Sequence, residues 1–96
     1  MACIDVAPPP PMYDGGYTPP YIVQHVSREE LQDMLGMKLK FCGWTDVDAR
    51  PMIVYVVRGH GGEKQTLRHE LGHVRGWRHN EAELSGLLNA LKNGAK

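Results

Sequence analysis

Three histidines fall within one short string, His69-Glu70-Leu71-Gly72-His73-Val74-Arg75-Gly76-Trp77-Arg78-His79, and their spacing constrains the fold more than any other feature. Side chains four residues apart on a helix share one face, one turn above the other. His69 and His73 on a helix therefore point the same way. Leu67, Leu71 and Val74 fall on the opposite side, so one face is expected to pack on a sheet and the other to line a cleft. A helix continued past His73 would carry the chain away. Gly76 can adopt the left-handed conformation that stops a helix, which lets the chain turn back and bring His79 to the other two.

Such a cluster suits a metal ion. Imidazole nitrogen binds zinc at about 2.0–2.1 Å, and three protein ligands leave a fourth position open, the arrangement of a catalytic rather than a structural site. The expected ligands are His69, His73 and His79, with one Zn2+ per chain. Glu81 or Glu83 is the alternative third ligand. Glu70 sits at the rim of the ligand face. There it can act as general base on zinc-bound water and later return the proton to a leaving amine. Two histidines and a glutamate recur by accident. Requiring the glycine and the third histidine as well reduces chance matches by roughly tenfold or more each.

The full string HExxHxxGxxH resembles the zinc-binding signature of the metzincin clan of metallopeptidases. The resemblance implies a zinc metalloendopeptidase-like hydrolase that cleaves peptide or related amide bonds. It also implies an edge strand above the catalytic helix that holds extended substrate by main-chain pairing. Met52 to Val57 is the segment that would play this part. The clan's methionine-containing turn has no counterpart after His79, where no methionine follows. Met34, Met37 and Met52 are the candidates to lie under the site from the other direction. The competing reading is a non-catalytic zinc-binding or peptide-binding module.

With 96 residues there is room for one domain and a modest core, and small cores often rely on a metal or a disulfide. Lys plus Arg and Asp plus Glu both number 11. No basic excess points to nucleic acid, and no apolar run is long enough for a transmembrane segment. The two cysteines, Cys3 and Cys42, are too far apart for a paired-cysteine metal motif. They are read as free thiols, with a disulfide as the alternative in an oxidising compartment.

Residues 1–21 read as a Pro/Gly-rich tail or linker. Pro8 to Pro11 are consecutive, and Gly15, Gly16, Pro19 and Pro20 follow, which favours extended or loop backbone. Met1-Ala2-Cys3 resembles the start of a mature bacterial lipoprotein. That resemblance implies a lipid anchor at Cys3 and a place in the cell envelope or periplasm rather than the cytoplasm.

Residues 22–96 form the expected minimal zinc-peptidase-like domain. Ser27-Arg28-Glu29-Glu30 fits a capping box opening a short helix with Leu31, Met34 and Leu35 on one face and Gly36 as its stop. Met37 to Cys42 alternates like a half-buried strand. Gly43 to Arg50 reads as polar loop and Met52 to Arg58 as an apolar strand opened by Pro51, which a strand start tolerates, particularly at an edge. Glu63 to about Arg75 is the motif helix. Glu81 to Lys92 is a last helix with Leu84, Leu87, Leu88 and Leu91 as its stripe. The expected class is α+β: a small antiparallel sheet packed on the motif helix, flanked by an N-terminal and a C-terminal helix. His60 is a candidate substrate contact. Asp46 and Asp48 are candidate acceptors for the second ring nitrogen of a ligand histidine. Tyr55 and His25 are read as packing and inert. Lys64, Arg68, Arg75 and Arg78 are read as a solvated face.

Overall fold

The computed structural model describes residues 7–36 and 41–79. After a single 3-10 turn at Pro11–Tyr13 come strand β1 (Tyr21–Val26), helix α1 (Arg28–Leu35), strands β2 (Gly43–Asp46) and β3 (Met52–Val57), and helix α2 (Glu63–Val74). The class is α+β. The sheet is mixed rather than antiparallel. β3 runs parallel to β1, with Val23 beside Val54, and antiparallel to β2, with Thr45 beside Val54. Among the described residues, no helix is long and apolar enough to cross a membrane. The expected final helix lies outside the described residues, as do the candidate ligands Glu81 and Glu83.

β3 is the middle strand, in the order β1-β3-β2. This corrects its placement at an edge, and with it the expectation that substrate pairs along Met52 to Val57: both edges of β3 are already hydrogen-bonded. The near-continuous apolar run has a simple cause. β3 is covered on both faces, so both sets of alternating side chains must be apolar. Val54 and Val56 pack with Val74 of α2, helped by Leu67, Leu71, Met52 and Val23. Val57, with Tyr55 beside it, packs instead with Leu31 of α1, Val26 and Cys42.

The helix ends follow the sequence closely. Ser27 Oγ accepts from the Glu30 amide at 3.0 Å, and a Glu30 carboxylate oxygen accepts from the Ser27 amide at 3.1 Å. The hydrogen bond from the Ser27 amide, aided by the Ser27 side chain and Arg58, holds the Glu30 carboxyl below its usual range. Gly36 closes α1 with φ at 68°. Met34 is exposed rather than packed with Leu31. At the end of α2, the Gly76 amide donates to His73 O and the Trp77 amide to Gly72 O, and Gly76 has φ at 113°. That pair of bonds is a Schellman stop, and it turns the chain back over its own last turn.

Two elements differ from expectation. Gly43–Asp46, read as loop, is the edge strand β2. Phe41 and Cys42 precede it without being strand, and residues 37–40 of the expected strand lie outside the described residues. Part of the segment read as a linker lies against α2. Pro9 is buried there, and a Cβ built on Gly72 would stand 2.7 Å from it. Cys42 is not a free thiol. It is fully buried and disulfide-bonded, and Cys3, the sequence's one other cysteine, lies outside the described residues.

Candidate metal centre

α2 and the turn after it bring His69, His73 and His79 together. One ring nitrogen from each lies within 4.8 Å of the others. His69 and His73 project from successive turns of α2, and the Schellman stop returns His79 to them. His69 is buried, and His73 and His79 are half-buried.

Main-chain carbonyls fix the orientations of two of the rings. His69 Nδ1 lies 2.6 Å from the Ala7 carbonyl oxygen, and His73 Nδ1 lies 2.8 Å from that of Trp77. A carbonyl oxygen only accepts, so each Nδ1 carries the proton and donates. In the neutral ring this leaves the lone pair on Nε2. The two Nε2 atoms stand 3.3 Å apart. Two nitrogens on one tetrahedral zinc, at about 2.0–2.1 Å each, stand about 3.3–3.4 Å apart. Two imidazole lone pairs facing one another at that distance repel, and a shared cation removes the repulsion. The residues present therefore fit zinc. Neither of the two Nδ1 bonds goes to the expected acceptors Asp46 and Asp48. Asp46 Oδ1 instead accepts from the amides of Asp48 and Ala49 in its own turn.

The protonation state agrees. Burial, assisted by the neighbouring His69, His79 and Arg78, pushes the His73 pKa down to about 4 against the raising effect of its bond to Trp77. At neutral pH His73 is uncharged.

Trp77 is the residue that sequence reasoning missed. Its ring stacks on His73 at 4.7 Å with planes 6° apart, and it meets His69 and His79 edge-on at 4.8 Å each. One indole thus packs against all three imidazoles. Of the methionines considered for a place under the site, Met34 is exposed on α1, Met52 packs beside Val54 and Val56, and Met37 lies outside the described residues. The signal for Trp77 was its position inside the motif, between Gly76 and His79.

Glu70 is 3% exposed. Thr45 Oγ1 of β2 donates to its Oε1 at 2.7 Å. β2 approaches this closely because residue 43 is glycine. A Cβ there would lie 2.6 Å from Thr66 Cγ2 and 3.0 Å from Glu70 Cγ. A cavity of about 320 Å³ opens between β2 and the histidines, with Glu70, His69, His73 and His79 on one side and Phe41, Trp44 and Val47 among its apolar walls.

The remaining candidates fall elsewhere. His60 Nδ1 accepts from the Gly62 amide, and the residue lines a separate hollow beside Arg58. Tyr55 packs on the α1 side and His25 is exposed. Arg78 lines the cavity and donates to the carbonyls of His73 and Trp77. Arg68 and Arg75 are engaged by residues 13–18 instead of being simply solvated. Comparisons with known protein families, with curated proteins and with solved structures find no match to this chain.

Proposed function

We propose that the protein is a zinc-dependent hydrolase of peptide or related amide bonds, resembling a minimal metzincin, with His69, His73 and His79 holding the metal and Glu70 as general base. One observation carries this reading: a three-histidine donor set and a buried carboxylate share one wall of one cavity. Zinc, when bound, supplies a Lewis acid that polarises the scissile carbonyl and makes water a nucleophile near neutral pH. Glu70 takes the proton of the attacking water and gives it to the departing nitrogen. Thr45, donating to Oε1, holds the carboxylate in one orientation for both transfers. Trp44, Phe41 and Val47 suit an uncharged side chain on the substrate. The main chain of an extended peptide pairs with the outer edge of β2, the strand that borders the cavity, rather than with β3.

The test is cleavage of a mixed peptide library by the zinc-loaded protein, followed by mass spectrometry. Glu70→Gln should lower the rate by about 10²–10⁴-fold while zinc stays bound. Cleavage by Glu70→Gln at the parental rate would refute the assigned role.

A further inference from the structure

Residues 7–18 cross α2 as a strap and engage it at several levels. Next to the histidines, the Ala7 carbonyl accepts from His69 Nδ1 at 2.6 Å. Buried Pro9 seats on Gly72, in a space that any Cβ at 72 would fill. Arg75 donates to the Tyr13 carbonyl at 3.1 Å and to Thr18 Oγ1 at 3.0 Å. Arg68 grips Asp14 with two hydrogen bonds, Nε to Oδ1 and Nη2 to Oδ2. This forked contact holds the Asp14 carboxyl below its usual range. A spacer with no role in the site needs none of these ties.

The two ligand histidines on α2 are held differently. His73 uses the carbonyl of Trp77, four residues away, which the end of its own helix provides. The acceptor for His69 comes from 62 residues away in sequence. We propose that the strap is a working part of the metal centre: the docked Ala7 carbonyl keeps the proton of His69 on Nδ1 and so presents Nε2 to the metal. Metal affinity then depends on the strap staying docked. This rests on the zinc reading above. Groups that orient a metal-bound histidine through its second nitrogen typically change affinity by about 10–100-fold when lost. Ala7 acts through its main chain, so the strap is released by changing the residues that dock it.

The experiment uses the full chain. Pro9→Asp combined with Asp14→Arg removes the seat on Gly72 and reverses the charge facing Arg68. Asp14→Arg combined with Arg68→Asp restores an ion pair of opposite sense and leaves Pro9 in place. Zinc Kd is read by competition with a chromophoric chelator. The ring tautomers are read from histidine 15N shifts in the metal-free protein. The first variant should bind zinc about 10–100-fold more weakly, and His69 alone should lose its Nδ1 proton while His73 keeps it. The second should stay within a few-fold of the parent, with both tautomers intact. Unchanged Kd and an unchanged His69 tautomer in the first variant would overturn the proposal. So would equal loss at both histidines in both variants. A parent chain that binds no zinc would instead refute the metal reading, and the metal-free tautomers would still decide the role of the strap.

Discussion

The rings of His69 and His73 are held by main-chain carbonyl oxygens and pack against an indole, and the groups around them make single substitutions informative. Removing the hydroxyl with Thr45→Val should leave zinc content unchanged and lower kcat by about tenfold, because Glu70 then lacks the donor that fixes Oε1. Equal kcat in the two proteins would show that Thr45 only packs. Gly43→Ala puts a methyl group against Thr66, Glu70 and the Tyr55 carbonyl, each closer than ordinary van der Waals contact. A destabilisation of about 1–3 kcal/mol is expected from urea denaturation. The depressed pKa of His73 also has a pH signature. Unfolded, this histidine takes up a proton near pH 6.5. Folded, it resists until about pH 4. Between these values the unfolded state binds more protons, so the metal-free protein should lose stability as pH falls through that window. A flat denaturation midpoint from pH 6.5 to 4 would contradict the burial of a neutral ring.

α2 and its end were readable in advance, because their signals are local. The histidine spacing, the opposed apolar stripe and Gly76 each depend only on nearby residues, and the Schellman stop followed from them. The same holds for the Ser27 capping box. The sheet was harder. The metzincin resemblance implied an edge strand, with which Pro51 was compatible, yet the unbroken run after it, Met52 to Val57, reflects a strand covered on both faces. β2 was hidden because it is short and begins with glycine, a poor strand former. Its need for glycine arises from contact with Thr66 and Glu70, which no local pattern reveals. The docking of Pro9 on Gly72 is likewise a contact between distant segments, so a proline run looked like a free linker. Gly76→Ala tests the turn itself. At φ 113° a side chain is strained, and the substitution should lower both thermal stability and zinc affinity, since His79 depends on this turn. Parental zinc affinity in Gly76→Ala would mean that the return of His79 does not need the glycine.

In a chain of 96 residues, whose described residues form two small apolar clusters, cross-links between distant parts matter more. Three are built from the elements described. The disulfide at Cys42 ties the start of β2, the strap ties residues 7–18 to α2, and the metal would tie α2 to the turn that follows. Non-reducing peptide mapping should find Cys42 joined to the peptide that contains Cys3. It also addresses the lipid anchor, because a Cys3 sulfur bonded to lipid cannot also be bonded to Cys42. Metal binding to the folded state alone would raise the melting temperature with zinc concentration. The most direct measurement is zinc content by elemental mass spectrometry after dialysis in chelator-free buffer, on the parent chain and on His73→Ala. About one zinc per parent chain, with little or none in the variant, is the expected result. A parent chain without zinc after reloading, or a variant that retains as much as the parent, would contradict a metal centre built on His69, His73 and His79.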